Sequence, residues 1–402
     1  MKRKSDIVFT VVAALLLVVL LAGMIFQPQK KASYYENRRL AEFPEAEQTA
    51  VLDGSWFAKL ETYLSDHSFL RAKIQPAATW LNLNLFRRPV VNDVVIGDDV
   101  LLPYWQHEAV DGIRLRRQAE ALADNLKTLS DLVESYGGTY CYAGVPCQYA
   151  FFEDAYPDYL NNRSEYTDAS NAVLAEVLAE RGVNYLDLGP VFEELGSPEL
   201  FSSRVDNHYS IFGAYAVYRN MLAELNRLAS AKAGGGWYKA LPVMQEKDLV
   251  FEPVDAYYIG SRNRRLFNLI TSEEKLYTAE PVNPVPFTRW DYGHTDPDPT
   301  RVYVYPKKGK AADYDFYMGG NVSITRIETK RPSLPNVLIY GDSFTNAVEC
   351  ILYLSCNTMH SVDMRYYHDS TLSEVIQKEK PDYVFCIRDY EALLSTEANG
   401  RI

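Results

Sequence analysis

The sequence predicts an α/β protein, a parallel sheet with helices on both faces, behind one N-terminal membrane helix. Three observations carry this. From Arg114 onward, stretches of helical spacing alternate with apolar runs of strand length. Ile7 to Phe26 carries no charge and, at 1.5 Å per residue, spans about 30 Å. Val337 to Tyr340 reads as a buried strand broken by Gly341-Asp342-Ser343, with helical spacing from Phe344 to Leu354.

The N-terminus is basic, Met1-Lys2-Arg3-Lys4, and Lys30-Lys31 stops the apolar stretch. A cleaved signal peptide is the rival reading. Its apolar region would be shorter, no small-x-small cleavage site follows, and Leu21-Ala22-Gly23 is followed by Met24 rather than a lipidated cysteine. An uncleaved signal anchor is therefore expected, with a cytoplasmic N-terminus and an external body in a single-pass cell-membrane protein. The expected organisation is a tail and anchor over 1–31, a stalk and arm over 32–93, and an α/β domain over 94–402 with an insertion at about 237–317. A net charge of −12 and a pI of about 5.1 argue against a nucleic-acid partner held by phosphate contacts. A composition 47% hydrophobic and 23% charged fits a folded body. Thirty tyrosines can line a carbohydrate groove and serve equally well in a core.

Each element has a local reason. Trp56-Phe57, Leu60, Leu64 and Phe69 lie at helical spacing around Asp66-His67, where His67 reads as a surface or capping residue rather than a ligand. Val94 to Leu102 reads as a β-hairpin turning at Gly97-Asp98-Asp99. Arg114 to Tyr136 is an amphipathic helix ended by Gly137-Gly138. Strand 139–146, helix 171–181, strand 183–188 and helix 213–228 follow. The insertion is rich in proline and tyrosine, with alternating runs such as Arg301-Val302-Tyr303-Val304-Tyr305 read as strands. A strand end at 361–367, a helix at 372–378 and a strand at 382–388 close the chain. The five cysteines match no zinc or redox spacing, and those at 141, 147 and 386 read as buried thiols.

Strand, tight turn and helix is a way to lift a serine hydroxyl clear of a sheet edge, which makes Ser343 a candidate nucleophile. Its rival role is to cap the helix. Asp206-Asn207-His208 is the second anchor: a carboxylate two residues from an imidazole holds its tautomer and stabilises its cation. The rival there is Asp206 as the cap of the Tyr215 helix, with His208 on the surface.

Together, Gly341-Asp342-Ser343-Phe344 and Asp206-x-His208 before Gly213-Ala214-Tyr215 resemble the SGNH class of serine hydrolases and acyltransferases. The order is permuted, since Asp206 and His208 precede Ser343. That order behind one membrane helix is similar to the DHHW family and the related alginate O-acetylation proteins. Glu36-Asn37-Arg38-Arg39-Leu40, Gly319-Gly320-Asn321 and Val362-Asp363-Met364-Arg365-Tyr366-Tyr367 extend the resemblance across the external chain. Asn207 stands at the first histidine of the family motif and Tyr209 at its tryptophan.

The resemblance implies an SGNH hydrolase-like, flavodoxin-like sheet. It implies Ser343 as nucleophile, His208 as general acid–base and Asp206 as its orienting partner. Acyl transfer needs oxyanion donors. The Ser343 N–H and the Gly320-Asn321 turn are candidates, the turn being equally readable as a plain hairpin turn. Tyr209 and Arg365 are supporting candidates, although Arg365 also reads as the ion-pair partner of Asp363. Asp342 is expected to pin the turn through backbone hydrogen bonds. His294 lies in a loop that could border a site. His360 and His368 lack a ligand set, so no metal is expected.

The implied activity is O-acyl, most simply acetyl, transfer or ester hydrolysis on a cell-surface polysaccharide, without a cofactor and with a membrane acyl-donor protein as a partner. The alternative is a non-catalytic carbohydrate-binding or scaffold module of a polysaccharide modification or export complex. A lipase or peptidase has less support, because no Gly-x-Ser-x-Gly elbow is present.

Overall fold

The computed structural model describes residues 2–36, 38–292, 301–395 and 399. The chain divides into two compact units, residues 1–94 with 263–271, and residues 95–262 with 272–402.

The first unit is helical. α1 (Lys2–Phe26) contains Asp6–Phe26, which among the described residues is the one helix long and apolar enough to cross a membrane, with a mean hydropathy of 3.0. α2 (Ser55–Asp66) and α3 (Arg71–Trp80) follow, and α3 runs on into a π turn, Leu81–Leu85. The arm is tied down by charge. Arg38 grips both carboxylate oxygens of Asp66, Ala41 N–H donates to Asp66 Oδ2 at 2.9 Å, and Arg71 holds Glu36 at 2.7 and 2.9 Å. Side-chain hydrogen bonding from Arg38 outweighs burial and brings the Asp66 carboxyl down to about 2. Asn37, within that motif, lies outside the described residues. His67 corrects the surface expectation. It closes α2, but it is buried against the Tyr63 ring, with Nε2 2.9 Å from the Ala41 carbonyl oxygen.

The second unit is built on a seven-stranded sheet. Its strands are β1 (Thr139–Val145), β2 (Tyr185–Asp187), β3 (Thr288–Asp291), β4 (Ile324–Glu328), β5 (Asn336–Gly341), β6 (Thr358–Val362) and β7 (Tyr383–Asp389). They lie in the order β3-β4-β6-β5-β7-β1-β2. The five from β6 to β2 are parallel, and β3 and β4 add an antiparallel edge. Every residue of β1 is buried, as a strand covered on both faces requires.

α4 (Gly112–Ser135), α5 (Ser164–Arg181) and α8 (Leu372–Glu379) form one helical group; α6 (Ile211–Ala233) and α7 (Asn346–Leu352) form the other. α4 and α6 each pack on β1, giving the sheet a helical layer on both faces. α4 starts where Asp111 accepts from Arg114 N–H at 3.0 Å and buries Leu115, Leu122, Leu126 and Leu129, the apolar stripe expected from its spacing. The hairpin of Val94–Ile96 and Leu101–Pro103 forms as expected. Many of the tyrosines serve the core, with Tyr140, Tyr142, Tyr209, Tyr218, Tyr258, Tyr317 and Tyr340 fully buried, while Tyr34, Tyr159, Tyr305 and Tyr366 are exposed. All five cysteines are free and buried.

One expectation for the insertion needs correction. Val302 to Tyr305 forms no strand. Val302 and Tyr303 are instead buried, and Tyr303 makes only an isolated bridge to Tyr317. The insertion contributes β3, as its reading as strands expects, and β4 lies between it and the serine strand. A small antiparallel pair, Leu249–Pro253 with Tyr277–Pro281, completes the insertion.

Candidate active site

The parallel strands place the tips of β5, β7 and β1 side by side, since Gly341 pairs with Ile387 and Ile387 with Ala143. Gly341 has φ +155°, and a Cβ there would lie 2.7 Å from the Ile387 carbonyl oxygen, so the turn off β5 needs glycine. Asp342 pins that turn as expected. It accepts from Phe344 N–H at 2.9 Å, and its other oxygen is held by Arg388 Nη1 at 2.5 Å. Burial, followed by the charge of Asp342, pushes the neighbouring Asp389 carboxyl up to about 7.

Ser343 does not cap the helix it precedes. Its Oγ lies 2.7 Å from His208 Nε2. His208 Nδ1 lies 2.5 Å from Asp206 Oδ1, although Ser343 is 135 residues from His208 in the chain. Asp206 does not cap α6 either. Ser210 does so, accepting from Phe212 and Gly213 N–H at 3.2 Å each, which leaves Asp206 to the imidazole. Asp206 and His208 are buried, whereas Ser343 is half-buried. Burial alone would raise the Asp206 pKa. The charge and hydrogen bond of His208, with the N–H groups of Ser261 and His208, outweigh it and hold the carboxyl far below the usual range.

The residues that fix this geometry come largely from the insertion. Ser261 N–H donates to Asp206 Oδ2 at 2.5 Å and Ser261 Oγ donates to Asn207 Oδ1 at 2.8 Å. A Cβ on the preceding Gly260 (φ +68°) would run into the Val205 carbonyl, so glycine is required for this approach. Tyr314 stacks flat on the His208 ring, centroids 3.7 Å apart and planes 3° from parallel. Glu274 Oε2 accepts from Arg204 N–H at 2.8 Å, stitching the loop that carries the histidine, and burial pushes its carboxyl up to about 7. The sequence offered no signal pairing any of these three with position 208; the Gly-Ser step at 260–261 marks only a turn.

The supporting candidates are placed differently from one another. Tyr209 is buried behind Ser343, with its hydroxyl donating to the Phe344 carbonyl and its ring edge-on to Phe344. Arg365 takes the ion-pair role, with Nη2 2.7 Å from Asp363 Oδ2 and Nε 3.0 Å from Oδ1. Gly320 (φ +89°) closes a plain turn through its N–H, 3.1 Å from the Tyr317 carbonyl oxygen, and Asn321 is exposed. Asn207 is the polar group beside the histidine instead. With Oδ1 taken by Ser261, its Nδ2 faces His208 Nε2 at 3.4 Å. His294 lies outside the described residues. Among the described residues, no group of three His, Cys, Asp or Glu side chains is placed to hold a metal ion.

The fold is thus a mixed α/β sheet, parallel over five of its seven strands and covered by helices on both faces, with Ser343 at the tip of a central strand. No protein-family model matches the chain, and no curated protein does. Solved structures do. Bacillus cereus PatB1 superposes with a TM-score of 0.61 at 19% identity, over 75% of this chain and 96% of PatB1. A PatB1 structure with a sulfonyl adduct gives 0.59 at 16%, over 75% and 97%. A DHHW family protein from Eubacterium siraeum gives 0.55 at 18%, over 76% and 93%. At these identities the likeness is one of fold, and the resemblance to DHHW family proteins read from the motifs is present in the fold as well.

Proposed function

We propose that this chain is a membrane-anchored, extracytoplasmic O-acyltransferase or esterase that acts on acetyl groups of a cell-surface polysaccharide. The observation that carries the proposal is the unbroken line Ser343 Oγ–His208 Nε2–His208 Nδ1–Asp206 Oδ1, at 2.7 and 2.5 Å. Ser343 Oγ attacks the acyl carbonyl carbon while its proton passes to His208 Nε2. Asp206 holds the imidazole by Nδ1 and stabilises the cation that forms. The tetrahedral oxyanion is met by Asn207 Nδ2 and the Ser343 N–H, then collapses, and the leaving oxygen takes the proton from His208. A sugar hydroxyl or water, deprotonated by His208, attacks the acyl-serine in turn. Ser343 Oγ leaves with that proton, and the acyl group ends on the sugar or as a free acid. No cofactor is needed for these steps.

Two further features support the reading. The fold is shared with PatB1, one structure of which carries a sulfonyl adduct, so a sulfonyl fluoride is expected to modify Ser343 here. α1 supplies an anchor of spanning length, which suits work beside a membrane acyl-donor protein. The rival reading, a non-catalytic carbohydrate-binding scaffold, rests on Asn207 and Tyr209 in place of the family's residues. Tyr209 sits behind the nucleophile and Asn207 beside it, which favours catalysis. The test is turnover of a chromogenic acetyl ester. Ser343→Ala is expected to abolish it, and a variant that keeps wild-type turnover overturns the reading.

A further inference from the structure

We propose that the outward face of α3 and its π turn lies in the lipid interface of the membrane crossed by α1; this rests on the reading of α1 as an uncleaved anchor. α3 is amphipathic the wrong way round for a helix on a water-facing body. Leu70, Ile74, Ala77, Leu81 and Leu85 recur at four-, three-, four- and four-residue steps, one stripe of a helix, and all five are exposed. Ile74 is 54% exposed and Leu85 64%. The flank formed by Arg71, Gln75 and Thr79 is polar and turned inward. Arg71 pairs with Glu36, and Thr79, 2% exposed, accepts from Asn92 Nδ2 at 3.0 Å. A helix that keeps its polar face within the protein and its apolar face outside requires an apolar medium on that outer side.

Lipid is the occupant the surroundings favour. The stripe begins at Leu70, next to Phe69, whose ring packs against Gly23 in the last turns of α1. Gln27 Nε2 donates to the His67 carbonyl at 2.5 Å, a second tie at the same end of the span. The apolar face therefore starts where α1 would leave the hydrocarbon. Trp80, 51% exposed, has the amphipathic ring that settles at headgroup depth. Lys73, Arg87 and Arg88 are exposed around the stripe and suit lipid phosphates.

The test uses the full-length chain in vesicles of phosphatidylcholine and phosphatidylglycerol, with spin labels on single added cysteines. The native cysteines are all buried, so an added surface cysteine is the one that reacts. Labels at Ile74→Cys, Leu81→Cys and Leu85→Cys are expected to be relaxed more by oxygen than by a water-soluble nickel chelate, at a shallower depth than Leu16→Cys in α1. Glu61→Cys on α2 is expected to show the reverse. Nickel access at the three sites equal to that at Glu61→Cys overturns the proposal. So does dipolar broadening between copies at those sites, which would make the face a dimer contact. Nickel access at Leu16→Cys would overturn the anchor reading itself, and the lipid assignment with it.

Discussion

The most informative single change is Asn207→Ala. The Asn207 carboxamide is oriented by one contact, Ser261 Oγ to Oδ1 at 2.8 Å, which turns Nδ2 to within 3.4 Å of His208 Nε2. His208 Nε2 is itself 2.7 Å from Ser343 Oγ, and the proposed role puts the amide beside the attacked carbonyl oxygen as it becomes an anion. A donor that tightens only as that charge develops is worth about 2.7–4 kcal/mol, or about 10²–10³ in kcat. KM should barely move, because the ground-state carbonyl gains little from it. Ser261→Ala leaves the amide in place but removes its clamp. One hydrogen bond of about 1 kcal/mol predicts roughly a fivefold loss. Asn207→Asp places a negative charge against the developing anion and should cost more than alanine. Asn207→His, which puts a ring N–H in the place of the amide donor, should recover part of the loss. Steady-state kcat and KM on an activated acetyl ester read all four variants. A kcat for Asn207→Ala within threefold of wild type, or a loss confined to KM, refutes the role.

The remaining predictions concern what holds the site together. Arg388→Met leaves the buried Asp342 carboxylate without its cation and should lower stability by about 3–5 kcal/mol, read by urea unfolding; an unchanged midpoint would mean that Asp342 is satisfied elsewhere. Tyr209→Phe strips the donor from the buried Phe344 carbonyl and should cost about 1–3 kcal/mol with KM unchanged, read by urea unfolding alongside ester kinetics. Glu274, raised from 4.5 to about 7, binds its proton more tightly in the fold than in the unfolded chain. Its contribution is therefore full below the unfolded value and is lost as pH rises towards 7, by at most about 3 kcal/mol, and Glu274→Gln should flatten that slope in urea titrations at several pH values. Asp66 has the opposite sign. Its Arg38 pairing contributes above the unfolded value of 3.8 and is lost as pH falls towards about 2, so Asp66→Asn should reduce the acid sensitivity of the helical unit, followed by circular dichroism.

The sequence made legible what depends on local patterning. Strand lengths, the stripe of α4 and the glycine-broken turn after β5 are written in neighbouring residues, and the α/β fold and Ser343 followed from them. Asp206 and His208 were legible as a pair because both lie within one short loop. What escaped was contact between distant segments. Nothing near Ser261 or Tyr314 indicates that an insertion, read as strands and loops, folds back to hold the histidine from the side and from above. Val302 to Tyr305 alternates like a strand, yet its pairing stops at the Tyr303–Tyr317 bridge and two flanking backbone hydrogen bonds to Phe316 and Met318, too short to make a ladder. His67 reads as a surface or capping residue, and it does close α2; its burial, which the polar neighbours in sequence hide, arises from Ala41 and Tyr63 closing around it. The tyrosine content was ambiguous for the same reason, since Tyr140 and Tyr340, two hundred positions apart, meet hydroxyl to hydroxyl at 2.5 Å inside the sheet.

The central claim is that Ser343 carries the acyl group between donor and acceptor. Its most direct measurement is tandem mass spectrometry of the protein, acid-quenched during incubation with an activated acetyl ester and no sugar acceptor. The expected result is one acetyl group on Ser343, within the Gly341-Asp342-Ser343 turn, absent from Ser343→Ala and from His208→Ala. Ester turnover with Ser343 unmodified, or acetylation at another residue that survives Ser343→Ala, would contradict the account.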